Sequence, residues 1–358
     1  MSPRARLAAG VALAALGLAA CGRKGPPVAP EARVPQAVAD LAAVVRESAI
    51  ELTWTNPPRR VDRTPLRDLT RASVFRVDDA GGVEPKAAML VDSAIAGYTE
   101  IATVRLDAPA TTRVMGNRVT LTDRRNLTYG RRYTYVVVTA DSRGRTSPPS
   151  RRASVTYIAA PEPPANVTAQ PGEREARLAW RPPTRLVDGG PATGPLAYEV
   201  LRAAAADTEL TAVATAAPGQ LALTDRELEN EHTYYYAVRA VRTEGGTTAY
   251  SAPSARVAVT PRKMTPPSPP ANLVAIPSES TVRLSWSPSP EPDVSGYVVY
   301  RADARGPFVR VGSTRTPTTT FIDRAVPRGT YRYAVAAQDS ASLPNQSGRS
   351  NEVTVTVP

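Results

Sequence analysis

The sequence predicts an all-β chain, a tandem array of three β-sandwiches of one design. Three observations carry this reading. Tryptophan recurs in matching contexts: IELTW ends at Trp54, ARLAW at Trp180 and VRLSW at Trp286. Each tryptophan stands 13 residues after an aliphatic residue, Leu41, Val167 or Leu273. Short runs of alternating apolar and polar residues follow, and 36 prolines punctuate them, too many for long helices.

The landmarks repeat in one order. ASVFR, AYEVLR and GYVVYR end at Arg76, Arg202 and Arg301. LTDR, LTDR and FIDR carry Asp123, Asp225 and Asp323. Then come Tyr133-x-Tyr135-x-Val137, Tyr234-x-Tyr236-x-Val238 and Tyr331-x-Tyr333-x-Val335. Each unit closes on Ser-x-x-Ser: Ser147 and Ser150, Ser251 and Ser254, Ser347 and Ser350. In Tyr331-Tyr333-Val335-Ala337 the large residues occupy every second position, which puts them on the buried face of a strand. Two such sheets about 10 Å apart bury the tryptophan between them.

This pattern resembles the immunoglobulin-like sandwich of the fibronectin type III family, over almost all of residues 36–358. The resemblance implies that Trp54, Trp180 and Trp286 fill the cores. It also makes Tyr133, Tyr234 and Tyr331 the tyrosine corners, whose hydroxyls bond backbone just upstream. Leu127 and Leu228 stand six residues before their tyrosines, as the family expects; the third unit departs, with Val326 five before, so a tighter corner is expected there. The expected sandwiches are residues 36–158, 161–261 and 269–358. Units one and two carry seven extra residues after the tryptophan, in long Pro-rich loops. The linkers fall at 159–164 and 261–270. The second, PRKMTPPSPP, reads as a semi-rigid spacer that leaves units two and three freer than units one and two.

The N-terminus has its own signature. Arg4 and Arg6 precede residues 7–20, which carry no charge. The run is shorter than the roughly 20 apolar residues of a spanning helix. Residues 1–20 therefore read as a secretory signal. Leu18-Ala19-Ala20-Cys21 resembles the bacterial lipoprotein box. That resemblance implies a diacylglyceryl thioether on Cys21, membrane lipid as a partner, and a mature chain beginning at this residue. Gly22 after the cysteine implies the outer rather than the inner membrane, by the family's sorting rule. Acyl chains contribute about 0.8 kcal/mol per buried CH₂, so two or three hold firmly. Residues 21–35 read as a lipidated, Pro-rich tether, extended at about 3.1 Å per residue to roughly 40 Å. Cys21 is the only cysteine, so no disulfide forms within the chain and the sandwiches stand on their cores.

Charge and motifs exclude more than they assign. Lys and Arg total 44 against 33 Asp and Glu, a net charge of +11, but the arginines are scattered among acids. Residues 36–158, with 19 basic and 13 acidic side chains, hold most of the excess near the anchor. With an export signal, no nucleic-acid partner is expected. His232 is the single histidine and reads as an exposed loop residue, too few for a metal site. Asp123, Asp225 and Asp323 invite a calcium reading, but no acidic cluster accompanies them, so a structural role at a turn is expected. No catalytic residue and no cofactor are expected, and Arg-Gly-Asp is absent.

One binding surface is expected. Phe75, Leu201 and Tyr300 face away from the core in their strands, and Val136 and Val138 lie opposite the tyrosine face. Phe75, Val136 and Val138 together predict an outward apolar patch on the first sandwich, a feature that marks partner sites, unless the long loop after the tryptophan or a strand C′ covers them. The expected function is a lipid-anchored, non-catalytic envelope protein that spaces and binds protein or glycan. The alternative is a polysaccharide-binding accessory subunit of an envelope enzyme, which predicts rows of exposed aromatics; aromatics are only 6% of residues, which ranks it second.

Overall fold

A computed structural model describes residues 29–106 and 112–358. Among them one short 3-10 turn, Pro30–Arg33, accompanies an otherwise all-strand architecture. The chain divides into two compact units. One comprises residues up to 159 with Glu244–Ala249; the other comprises Ala160–Thr243 with Tyr250–Pro358. The first contains one sandwich, the second contains two.

In the first sandwich, Ala42–Arg46, Ala49–Thr55, Arg118–Asp123 and Arg113–Met115 form one antiparallel sheet in that order. Ala153–Thr156, Arg132–Asp141, Leu69–Asp79 and Thr99–Arg105 form the facing sheet. The second sandwich pairs Ala165–Pro171, Ala176–Arg181 and Ala222–Asp225 in one sheet. Its other sheet contains Thr211–Ala216, Leu196–Ala203, Tyr234–Glu244 and Val257–Val259. The third repeats the plan, with Ala271–Pro277, Thr281–Ser287 and Thr320–Arg324 facing a sheet built around Val294–Asp303 and Gly329–Asp339.

The alternation read from the sequence fixes the cores. Trp54, Trp180 and Trp286 are buried, as are Tyr135, Tyr236 and Tyr333. Trp180 packs on Tyr198 and Trp286 on Tyr297, each with ring centroids 5.4 Å apart. The Trp54 indole N–H donates to Asn56, two residues on, at 3.1 Å. Proline occupies that place in the other repeats, as Pro182 and Pro288, and the Trp180 and Trp286 indole nitrogens have no partner.

The paired serines complete a ladder that the chain geometry interrupts. Ser147 and Ser150 donate their amides to the Thr139 and Val137 carbonyls at 2.8 and 3.0 Å. Their hydroxyls accept the Thr139 and Val137 amides, both at 3.0 Å. Ser251 and Ser254 treat Ala240 and Val238 the same way, and the Ser347 and Ser350 hydroxyls accept from Ala337 and Val335. A spacing of three along one strand meets a spacing of two along the other, and the hydroxyl stands in for a displaced carbonyl. This is the reason for serine at both places, since a buried amide without an acceptor costs about 1–3 kcal/mol.

Two expectations about connections change, and the long loops take a definite form. The end of the tether is not extended: Pro30–Arg33 makes a 3-10 turn. Val34 and Pro35 then run against the loop Arg59–Val61, where Arg60 donates to the Arg33 carbonyl at 2.8 Å. The long loops are also ordered. Each folds back as a small hairpin, through Arg60 amide to Thr64 carbonyl at 2.9 Å and Leu186 amide to Gly190 carbonyl at 2.8 Å. Gly189 takes the left-handed turn conformation in the second, where Arg63 does so in the first. Finally, the linker 261–270 is bound at both ends. Met264 and Thr265 donate their amides to Glu173 at 3.3 and 3.0 Å. Lys263 reaches Asp293 and Asp339, and Asn345 donates to the Lys263 carbonyl at 3.2 Å. These bonds oppose the loose coupling that composition alone implied.

Asp339 has a counterpart in Asp141, at the end of the Tyr-x-Tyr strand of the first sandwich. Asp141 is 2% exposed. Arg60 donates to it at 2.7 Å, Arg145 at 2.8 Å, and the Arg143 and Arg145 amides at 3.0 Å. Burial pushes its carboxyl up, and these donors more than offset that, lowering it from 3.8 to about 2. A carboxyl held below its unfolded value stabilises the fold above that value and loses its contribution as pH falls through the lowered one. Acid unfolding of the first sandwich is expected to acquire part of its slope between pH 4 and 2 from this group. In Asp141→Asn, stability at pH 7 falls, and denaturant midpoints measured across that window change less than in the wild type.

Candidate binding surface

The most repeated polar side chains converge between the sheets. Arg76, Arg202 and Arg301 lie directly opposite Tyr135, Tyr236 and Tyr333 in the strand register. All face inward. From the other sheet come Asp123, Asp225 and Asp323, each on the strand next to a tryptophan strand. The tyrosine hydroxyls donate to these carboxylates at 2.9, 2.7 and 2.9 Å. The arginines donate to the same oxygens at 2.8, 2.8 and 2.9 Å. Each guanidinium also covers the first tyrosine of its pair, 5.1 Å from Tyr133, 5.5 Å from Tyr234 and 5.3 Å from Tyr331.

Burial, then the neighbouring carboxylate, pushes Tyr135, Tyr236 and Tyr333 well above the usual phenol range, so they stay protonated donors. Burial works against the charge of the three arginines, and the aspartate bond more than offsets it. Donors and carboxylates are consumed by one another, which makes this group a structural staple. Sequence reading had all its members as separate landmarks and missed their meeting. The equal register of Arg and Tyr on neighbouring strands is the signal that joins them.

The tyrosine corners form in two repeats. Tyr133 accepts the Thr128 amide at 2.8 Å and Tyr234 the Glu229 amide at 3.1 Å. In the third repeat Tyr331 keeps only the arginine contact that all three tyrosines share. His232 is exposed, edge-on to Tyr234. Among the described residues no group of three or more His, Cys, Asp and Glu is placed to hold a metal ion. Cys21 lies outside the described residues.

Phe75, Val136 and Val138 do come together on the outer face of the first sandwich, but they are not open. They are 1, 0 and 2% exposed. The segment after Leu69–Asp79 folds over them, with Leu90–Val91 and Ala94–Ile95 as a two-stranded hairpin. Ile95, Leu90, Ala88 and Tyr98 pack on the patch. Arg152 ties the cover down, bonding the Pro85 and Lys86 carbonyls and pairing with Glu84. The patch is a second small core, because apolar surface of this size is more stable covered than wet.

The same device recurs in altered form. In the second sandwich Leu201 is buried, and Arg256 bonds the Ala206 carbonyl of the equivalent connection. In the third, Arg332 donates to the Gly306 carbonyl at 2.8 Å and pairs with Glu352 at 3.0 Å. There the cover is shortest and Tyr300 stays half-exposed. A groove of about 310 Å³ opens beside it, lined by Tyr300, Phe308, Gln346, Ser347, Gly348 and Arg349. Two larger clefts, about 420 and 480 Å³, lie by the post-tryptophan loops of the first and second sandwiches, with Pro57 and Pro58 or Pro182 and Pro183 in their walls. Neither has a carboxylate or histidine in its lining.

No family model matches the chain. It is 30% identical to exoglucanase B of Cellulomonas fimi over 313 residues, 83% of this chain and 27% of that protein. It is 32% identical to endoglucanase B of Cellulomonas fimi over 252 residues, 65% of this chain and 22% of that protein. The chain thus spans about a quarter of the length of these relatives. Among solved structures, the FN1–FN3 domains of chicken CNTN1 align over 90% of this chain and 99% of that one, with 17% identity and a TM-score of 0.29. The fold is all-β, in tandem immunoglobulin-like sandwiches of the kind that the repeated motifs resemble.

The cover on the first sandwich is testable. Ile95→Asp places a carboxylate against Phe75 and Val138 and is expected to lift the hairpin. Trypsin then cuts after Lys86 at least tenfold faster than in the wild type, whereas Val91→Asp, at a position 52% exposed, cuts at the wild-type rate. Equal rates for all three chains exclude the cover.

Proposed function

We propose that the protein is a lipid-anchored, non-catalytic envelope protein, in which three sandwiches space and present a binding surface for protein or glycan. The observation that carries the non-catalytic part is the use of the repeated Asp, Arg, Tyr and Ser side chains. Among the described residues they are bonded to one another or to backbone inside the sandwiches; Asp123 and Ser347 border cavities, but the Asp123 oxygens are taken by Tyr135, Arg76 and the Arg125 amide, and the Ser347 hydroxyl by backbone. The anchor rests on residues 1–21, where an uncharged run, small residues and Cys21 follow one another. Among the described residues no helix is long and apolar enough to cross a membrane; in this reading attachment is through the acylated Cys21. Gly22 directs the anchor to an outer membrane where the cell has one.

A second reading is an accessory polysaccharide-binding subunit of an envelope enzyme. The names of the relatives, an exoglucanase and an endoglucanase, favour it. The chain matches about a quarter of each of those proteins, so their activity is not carried over to it.

Membrane fractionation and intact-mass measurement test the anchor. The wild-type chain is expected in the membrane fraction with acyl mass on its first residue, Cys21. Cys21→Ala is expected to leave that fraction almost entirely. A wild-type mature chain without acyl mass overturns the proposal.

A further inference from the structure

We propose that the groove on the outer face of the third sandwich receives a carboxylated sugar, one ring of an anionic polysaccharide; this rests on the binding-module reading and names its ligand. The argument starts from Phe308. Two guanidiniums stack on its ring, Arg332 at 4.9 Å and Arg349 at 4.3 Å. Their charges have different fates. Arg332 is neutralised by Glu352. Arg349 is exposed and has no carboxylate partner among the described residues. An arginine whose guanidinium sits over an aromatic ring can still offer its N–H groups to a carboxylate, which accepts them in two parallel bonds.

The second donor is Tyr300. Gln346 donates its amide N–H to the Tyr300 hydroxyl oxygen at 2.6 Å. That bond occupies a lone pair and leaves the hydroxyl proton to be given elsewhere; no acceptor for it exists among the described residues. No carboxylate lines the groove. Two unspent donors, one charged, thus converge on a space without a counter-ion. The Gln346 carbonyl oxygen adds an acceptor suited to a sugar hydroxyl, and the ring of Tyr300 an apolar face suited to its C–H groups.

Size and relief favour a sugar over a protein segment. The volume, about 310 Å³, is at the low end of the ~300–1,000 Å³ of small-ligand sites. Gly348 contributes only backbone to the lining. The equivalent faces of the first and second sandwiches are closed over Phe75 and Leu201, which confines the site to the third.

The test titrates the full chain, in detergent micelles, with a galacturonic acid tetramer and with cellotetraose, followed by calorimetry at low salt and at 0.5 M NaCl. The acidic tetramer is expected to bind at least tenfold more tightly than the neutral one, and more weakly at high salt. Arg349→Gln is expected to lose at least tenfold in affinity for the acidic tetramer and to keep the wild-type thermal midpoint. Arg349→Lys recovers only part of the loss, since it retains charge without the fork. Tyr300→Phe loses affinity for both sugars. Equal binding of the two tetramers, or an unchanged affinity in Arg349→Gln, overturns the inference and leaves the binding-module reading standing. So does equal competition by hexa-aspartate, because the groove then reads charge alone. Failure of both sugars to bind overturns the inference as well; crosslinked partners of the anchored chain then decide the broader reading separately.

Discussion

One inter-sheet carboxylate, repeated in every sandwich, organises the molecule. Asp123, Asp225 and Asp323 each take a hydrogen bond from a tyrosine and an arginine of the opposite sheet. An ionised aspartate between sheets is unfavourable by several kcal/mol unless its oxygens are matched. The match exists at one register only. A slip of one residue between the Arg and Tyr strands turns one of the donors to the outside and strands the carboxylate. The staple therefore acts as a register device, and it does so in a chain that has no disulfide to fix its sheets. The tryptophan cores supply the bulk of the burial; the staple selects which pairing of sheets that burial rewards.

From this follows the use of the outer faces. With its catalytic-looking side chains spent inside, each sandwich meets its surroundings through the connection that crosses the outer sheet. An arginine pins that connection in all three, from different places: Arg152 and Arg256 two residues after the second serine, Arg332 from the Tyr-x-Tyr strand. In the third repeat Glu352 stands where the others have arginine, and pinning passes to Arg332. In the same repeat the cover is shortest and the groove beside Tyr300 and Arg349 is open. A single repeat is specialised in this way while the others remain closed modules suited to spacing.

Much of the fold was legible because its determinants are local and repeated. Period-two alternation placed Trp54, Trp180 and Trp286 inside, and Ser-x-x-Ser and Asp-Arg marked equivalent positions three times over. What sequence reading missed depends on segments with no counterpart among the repeats. Phe75, Val136 and Val138 lie on one outer face, yet residues 83–98, which cover them, have no strong pattern of their own. Lys263 read as linker composition, and its bonds to Asp293 and Asp339 join residues far apart in the chain. The groove at Tyr300 needed Phe308, Gln346 and Arg349 to be brought together from three different strands and loops.

The claim that the staple holds sheet to sheet is tested most directly by a double-mutant cycle on Asp323→Asn and Tyr333→Phe. The readout is the opening free energy of amides in Gly329–Asp339, measured by native-state hydrogen exchange in the full chain. A shared bond predicts that the two substitutions couple by about 0.5–3 kcal/mol, the range of residues in one network. Additive effects with no coupling would contradict the account, and would leave the tryptophan cores alone to align the sheets.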